Sequence, residues 1–447
     1  MVKYRSKIGQ AVVFSALLLT GINLFSQVLG FIYRVWLSRL VSPEVIGLYG
    51  LIMPLYTIIM SLCVSGLTVA VSRLTAHYSA LGQEGSIRQT VKTARIGYIL
   101  MVLALSAFMV PLSDQVSVHF LGDARTRLAL LILVPEILLT GWENVHKNYF
   151  YGRKNIVPPA TAEIAEQITR VGSTLALLYL LRPTYEEHQL GLIIVGMTIS
   201  EVFSAAILTI FYRRDQKKRI AVIQHESGML RRVLSIAVPV AGANLLSNLI
   251  TSLNSIIIPG RLIMSGLDPN EALSAFGVAF GMTMPLLSLP LAFTVSIGLV
   301  MLPRLSESAA LKDLDAIRRK TGLALLLSGM VIVACMSILI PFGAPLAQML
   351  FKNADAGQFM APLAIATVFV CLEQILASFL NGLGRQKKAA ADMIAAGVVQ
   401  LVLTWFFVAH PGLRLMGFVW AYLVSNIMGA SLCLWDMVKV LRRSAMA

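Results

Sequence analysis

Residues 53–74 read MPLYTIIMSLCVSGLTVAVSRL, and residues 284–305 read MPLLSLPLAFTVSIGLVMLPRL. The two segments align without a gap, and they share Met-Pro-Leu at the start, Val-Ser in the middle and Arg-Leu at the end. Each segment is long enough to cross the roughly 30 Å hydrocarbon core of a bilayer as a helix. The shared proline and arginine indicate that the chain is a duplication of one membrane-embedded unit.

The composition excludes several classes of protein. Of the 447 residues, 57% are apolar and 13% are charged, whereas soluble domains usually carry about 25% charged residues. An ordinary soluble enzyme, a disordered chain and a secreted disulfide scaffold are therefore excluded. The four cysteines lie in apolar stretches without metal-ligand or disulfide spacing, so we expect them to be packing residues.

Twelve apolar segments have the length of a membrane span. They lie at about 11–33, 45–72, 96–118, 127–149, 157–181, 189–212, 233–258, 273–302, 321–343, 358–381, 389–409 and 413–436.

The basic residues predict the orientation of these spans. Most of the 37 lysines and arginines fall in alternate connections, beginning with the N-terminal segment. Because cytoplasmic connections are rich in Lys and Arg, both termini are predicted to be cytoplasmic. The net charge of +15 is then an orientation signal and a source of affinity for anionic membrane lipid, and we expect no nucleic-acid partner.

Six spans in each repeat return the chain to the same side of the membrane, so the two halves are predicted to be parallel repeats. The expected fold is an all-α polytopic membrane protein with twelve transmembrane helices in two parallel six-helix lobes around a central cavity. The lobes are expected at residues 1–225 and 226–447. This architecture is typical of secondary transporters.

Polar residues recur at helical spacing in the first and seventh spans. Asn23 and Gln27 in one span, and Asn244 and Asn248 in the other, each fall on one helix face. Two such faces predict either a shared hydrophilic cavity or hydrogen bonds between helices. Arginines near the outer ends of these spans are candidate anion ligands, because arginine binds phosphate bidentately. The candidate substrate-binding residues are Asn23, Gln27, Arg34, Arg39, Asn244, Asn248 and Arg261.

Ionisable residues within spans are costly and mark candidate sites. In the fifth span, Glu166 and Arg170 are four residues apart and can pair, with Glu163 one turn earlier. These three residues predict either an ion-coupling site or a structural pair. Four further glutamates are each considered singly as proton carriers: Glu136, Glu143, Glu201 and Glu373.

The sequence contains no GxxxxGK[ST] phosphate loop, no HExxH or GxSxG motif and no His/Cys ligand cluster. We therefore predict no catalytic residue, no metal centre and no cofactor, and we expect the protein not to be an enzyme.

Several short motifs resemble the stage V sporulation protein B group, within the multidrug/oligosaccharidyl-lipid/polysaccharide flippase superfamily. They are the residues 27–34 (QVLGFIYR), 65–73 (SGLTVAVSR), 166–171 (EQITRV), 259–262 (PGRL), 302–307 (LPRLSE) and 381–385 (NGLGR). The resemblance implies two six-helix lobes around a central cavity, a location in the bacterial inner membrane and movement of a polyprenyl-diphosphate-linked saccharide to the outer leaflet. Related lipid II flippases have an arginine where this chain has Gln27, and an Arg-Asp pair where it has Tyr33-Arg34.

The predicted function is therefore a flippase for a lipid-linked precursor of cell-envelope or spore glycan. A proton or a sodium ion is a further candidate partner. One alternative is a cation-coupled multidrug exporter, for which Glu163 and Glu166 are the candidate acids. The others are a non-transporting membrane partner of the envelope-synthesis machinery and a lipid-linked glycosyltransferase or polymerase.

Overall fold

The structure is a computed structural model that describes residue 21 and residues 25–219, 228–311 and 313–443. Every regular element within these ranges is helical. The all-α fold predicted from the apolar segments is therefore confirmed.

We number the long helices of the described residues in chain order. The first six are α1 (25–40), α2 (Pro43–Ala80), α3 (Glu84–Met109), α4 (Arg127–Gly152), α5 (Val157–Leu181) and α6 (Glu186–Lys217). The next six are α7 (Met229–Met264), α8 (Pro269–Ala309), α9 (Leu314–Phe351), α10 (Met360–Gly382), α11 (Gln386–Phe407) and α12 (Leu415–Arg443). Short helical segments lie at Ser113–Gln115, Val116–Phe120, Ala124–Thr126 and Asp355–Gln358.

Ten of these helices, all except α1 and α5, are long and apolar enough to cross a membrane. The chain is therefore a multi-pass membrane protein. Most of the span predicted at 11–33 lies outside the described residues. The span predicted at 157–181 forms α5, but its glutamates and arginine lower its mean hydropathy below that of the other spans.

The two long helices that carry the repeated segment are irregular. Pro54 lies inside α2, which contains a π turn at Ser61–Ser65. In α8, a π turn at Val278–Thr283 ends just before Pro285. Proline removes a backbone donor, and π turns are wide local insertions that leave helix geometry irregular. The prolines of the repeat thus mark the irregular helix of each half.

The described helices cluster into two compact units. The first unit comprises the described parts of Met1–Tyr33 and Leu51–Ser252, and the second comprises Arg34–Gly50 and the described parts of Leu253–Ala447. Residues of α1, α2 and α7 therefore occur in both units. The lobe boundary expected near residue 225 remains a prediction.

Within the first unit, small residues allow close helix packing, as is common in membranes. A Cβ atom on Gly196 of α6 would lie 2.2 Å from Thr174 Oγ1 of α5. A Cβ atom on Gly141 of α4 would lie 2.0 Å from the ring of Tyr98 of α3. These contacts require glycine, and they bring α6 close to α5 and α4 close to α3. Helix α4 also packs along α6, so polar side chains of α4, α5 and α6 can meet.

Within the second unit, α10 packs against α8 and α12. Buried Leu305, Phe379 and Cys433 share one apolar cluster. Cys63, Cys371 and Cys433 are buried, and all four cysteines are free thiols. The three buried cysteines occupy the packing positions expected from their apolar surroundings, and Cys335 is half-buried.

Candidate functional site

The first unit contains three buried carboxylates that meet between adjacent helices. Glu143 comes from α4, Glu166 from α5 and Glu201 from α6. One oxygen atom of each lies within 4.8 Å of the others, and the three residues are at most 6% exposed. We call these three residues the acidic cluster. Three carboxylate oxygens at this spacing can hold one small cation or share protons.

Two cations and one hydroxyl group border the acidic cluster. Arg170 forms an ion pair with Glu166, one turn earlier on α5, and its Nη2 lies 3.8 Å from Glu201 Oε1. Ser204 Oγ donates to Glu143 Oε1 at 2.8 Å. The predicted Glu166–Arg170 pair is thus formed, and it joins α5 to α6.

Lys147 is the second cation. Its Nζ lies 2.5 Å from Glu163 Oε2 on α5 and 3.8 Å from Glu143 on its own helix. Glu163 is therefore held in an ion pair at the border of the acidic cluster.

Negative charge exceeds positive charge in this region. Glu136 of α4 is fully buried, and Thr140 donates to its backbone carbonyl at 2.9 Å. Within the part of the chain that the structure describes, one carboxylate oxygen of Glu136 and one of Glu201 have no hydrogen-bond partner. Unsatisfied buried carboxylates inside a membrane are costly. A proton or a small cation would reduce this cost.

The sequence predicts Glu143 and Glu201 only as single proton carriers and does not place them beside Glu166. The signal that could have joined them is their spacing. Glu143 and Lys147 lie on one face of α4, and Glu166 and Arg170 lie on one face of α5. The sequence carries no direct signal that these faces turn toward each other and toward Glu201.

Two predicted amides of α7 also lie in the first unit. Asn248 Nδ2 donates to Ser61 Oγ in the π turn of α2 at 2.6 Å, whereas Asn244 is exposed. Gln27 of α1 is exposed as well, and Asn23 lies outside the described residues. Asn248 thus joins α7 to α2, while the side chains of Gln27 and Asn244 are exposed.

The three predicted arginines lie in the second unit and have different surroundings. Arg39 donates from Nε to Leu350 O at 2.7 Å and from Nη2 to Met349 O at 3.0 Å, so it caps the last turn of α9. Arg261 lies over the ring of Trp405 of α11. Arg34 is exposed. Among the described residues, neither Arg34 nor Arg261 has a carboxylate partner.

The second unit also buries the predicted proton carrier Glu373 on α10, at 6% exposure. Its carboxylate lies against Gly429 of α12, where a Cβ atom would be 2.5 Å from Oε1. Only glycine at position 429 leaves room for this carboxylate.

Two family models match the chain, and the first covers more than half of it, so the chain belongs to that family. Residues 12–309 match the family described as polysaccharide biosynthesis protein. Residues 239–406 match the MatE family.

Two relatives from Bacillus subtilis (strain 168) match nearly the full chain. Stage V sporulation protein B is 24% identical over 90% of this chain and 78% of its own length. Sporulation protein YkvU is 20% identical over 96% of this chain and 95% of its own length.

A solved structure shares the fold. It is described as the inward-facing conformation of a multidrug resistance MATE family transporter of the MOP superfamily. The TM-score is 0.77 at 16% identity, and the match covers 96% of this chain and 99% of that chain.

Proposed function

Because this chain belongs to the polysaccharide biosynthesis protein family, we propose that it is a flippase that moves a polyprenyl-diphosphate-linked saccharide from the cytoplasmic to the outer leaflet. The family's description as polysaccharide biosynthesis protein, together with the sporulation names of two relatives, supports a glycan precursor of the spore or cell envelope as the substrate. On this proposal the protein transports and does not catalyse a covalent reaction.

The observation that carries the proposal is the pair of arginines in the second unit, Arg34 and Arg261. Arginine without a carboxylate partner is costly near the hydrocarbon region and marks a functional site. The diphosphate is an anion that a guanidinium binds bidentately. We propose that these two arginines bind the diphosphate, and that the amides of Asn23, Gln27, Asn244 and Asn248 contact the saccharide. Arg39 is a weaker candidate because its donors cap α9.

The function is tested with purified protein in liposomes that contain a labelled polyprenyl-diphosphate saccharide. We expect protein-dependent appearance of the saccharide in the opposite leaflet. Absence of transfer with several saccharides and with either ion gradient would remove the support for a flippase and favour a non-transporting partner of envelope synthesis.

A cation-coupled multidrug exporter is the second candidate, and the acidic cluster favours it, because buried carboxylates can carry the coupling ion. The same liposomes, loaded with a cationic dye, distinguish the two candidates. Dye efflux without saccharide transfer would support the exporter.

We propose that the acidic cluster couples transport to a proton or sodium gradient. Glu201 is the strongest candidate because it is the member of the acidic cluster that has a carboxylate oxygen without a hydrogen bond among the described residues. The groups around it are Glu136, Glu143 and Lys147 of α4, Glu163, Glu166 and Arg170 of α5, and Tyr56 of α2.

Glu201→Gln is expected to make the transfer rate independent of an imposed pH or sodium gradient, because the amide cannot release a proton and carries no charge for a cation. The rate is measured in liposomes with and without each gradient. Glu187→Gln, near the start of the same helix, is the matched control and should retain the dependence. An unchanged gradient dependence in Glu201→Gln would show that coupling occurs elsewhere.

We further propose that the protein lies in the bacterial cytoplasmic membrane with both termini in the cytoplasm. Cysteines introduced as Lys217→Cys and Glu271→Cys, in a chain without its four natural cysteines, test this orientation. An impermeant maleimide added to intact cells should label position 271 and not position 217. Labelling of position 217 alone would show that the orientation is the reverse of the one proposed.

A further inference from the structure

An apolar groove of about 600 Å³ opens between α3, α4 and α6 of the first unit. Its walls include Leu103, Leu138, Val202 and Ile210, whose exposed fractions range from 38% to 57%. Because these helices are candidate spans, the walls face hydrocarbon. The volume lies in the range of roughly 300–1,000 Å³ that is typical of ligand pockets.

One end of this groove is cationic. Arg213, in the last turns of α6, is exposed and lines the groove. On α3, Arg95 lies one turn before Ile99, which also lines the groove, so both fall on one helix face. The groove therefore has apolar walls along its length and two arginines at one end. This arrangement complements a phospholipid, whose acyl chain is apolar and whose phosphate is anionic.

Aromatic rings hold Arg95 in place. Its guanidinium lies 5.1 Å from the ring centre of Trp142, a groove residue, and 5.4 Å from that of Tyr212. Trp142 Nε1 donates to Thr209 Oγ1 at 3.0 Å, and the His146 ring contacts both aromatic rings. Both rings lie within the roughly 6 Å range of a cation–π contact with the guanidinium, and such a contact does not use its N–H donors as a hydrogen bond would.

These donors are available to an anion. In the described ranges, neither Arg95 nor Arg213 is hydrogen-bonded to, or paired with, an acidic side chain. Two guanidinium groups without carboxylate partners complement the charge of a phosphate, which arginine binds through several N–H groups.

We propose that this groove binds an anionic phospholipid, with one acyl chain along its apolar walls and the phosphate at Arg95 and Arg213. These arginines lie at the end of the helices that the basic connections assign to the cytoplasm. Anionic lipids of that leaflet attract basic residues at the membrane surface. The lipid is a resident ligand of the first unit, and its binding is independent of the proposed transport activity.

Native mass spectrometry of the purified full chain tests this proposal. After delipidation, the protein receives equal amounts of phosphatidylglycerol and phosphatidylcholine. We expect preferential retention of phosphatidylglycerol. In Arg213→Ala the affinity for phosphatidylglycerol should fall about tenfold, which is the effect of losing one hydrogen bond to a charged group. Ala206→Trp, which places a large side chain on the exposed groove wall, should remove bound phosphatidylglycerol as well.

Two variants serve as matched controls. Arg214→Ala removes the neighbouring exposed arginine, which does not line the groove. Leu180→Trp enlarges a side chain that is 75% exposed on α5. Both should bind lipid as the unmodified protein does, and thermal unfolding confirms that all four variants are folded.

Equal retention of the two lipids, or full retention in both Arg213→Ala and Ala206→Trp, would overturn the proposal. Complete displacement of phosphatidylglycerol by an equal amount of polyprenyl phosphate would also overturn it, because the groove would then serve the tail of an isoprenoid lipid.

Discussion

Arg170→Ala is expected to destabilise the folded protein strongly, because it removes the only cation that lies between Glu166 and Glu201 in the described structure. Both carboxylates are almost fully buried. Breaking a buried ion pair by removing one partner typically costs about 3–5 kcal/mol. Glu143 adds a third carboxylate within 4.8 Å, so the remaining negative charges would also repel one another.

The buried cysteines provide the measurement. Cys63, Cys371 and Cys433 are buried in the folded chain. In a chain that carries Cys335→Ser, which removes the half-buried fourth cysteine, a thiol-reactive dye therefore reports unfolding during heating. Arg170→Ala should react at a clearly lower temperature than the unmodified protein, and Arg170→Lys should recover part of the loss because it keeps the charge.

Arg182→Ala is the matched control for this variant. Arg182 follows α5 directly and contacts the ring of exposed Tyr179, so its removal should leave the unfolding temperature unchanged. Equal unfolding temperatures for Arg170→Ala and Arg182→Ala would contradict the stabilising role of the buried pair.

Most of the fold could be predicted from the sequence, because a lipid bilayer restricts the backbone conformations that a membrane-spanning segment can adopt. Only helices satisfy every backbone hydrogen bond within a single lipid-embedded segment, so apolar length alone predicts α2, α8 and the other long spans. The hydropathy of α5 is lower, yet its helix forms because Glu163, Glu166 and Arg170 are paired inside the first unit.

The site was less predictable, since it depends on helix rotation and on neighbours far apart in sequence. The Glu166–Arg170 pair follows from spacing along α5, but the approach of Glu143 and Glu201 depends on the packing of α4 against α6, where Gly191 of α6 faces Leu128 of α4. The structure likewise gives Arg39 a capping partner on α9 more than 300 residues away, which no local pattern could indicate.

The second large effect is expected from the double variant Arg34→Ala and Arg261→Ala, which should lower saccharide transfer by about 100-fold. Hydrogen bonds to charged groups contribute roughly 1.5–3 kcal/mol each, and about 1.4 kcal/mol corresponds to a tenfold change in rate. Replacement of both by lysine should restore only part of the rate, because lysine cannot bind the diphosphate bidentately.

A charge-matched control is the double variant Arg182→Ala and Arg414→Ala. Both arginines lie in connections that are predicted to be extracellular and outside the candidate site, and both have left-handed backbone conformations. The control removes the same charge as the test variant without removing a proposed diphosphate ligand.

The most direct test of the flippase proposal is the initial rate of transfer of a labelled polyprenyl-diphosphate saccharide in liposomes that contain each of these double variants. We expect rapid transfer by the unmodified protein and by the Arg182/Arg414 control, and almost none by the Arg34/Arg261 variant. Full transfer by a folded Arg34/Arg261 variant would contradict the proposed diphosphate site, and absence of transfer by the unmodified protein would contradict the flippase itself.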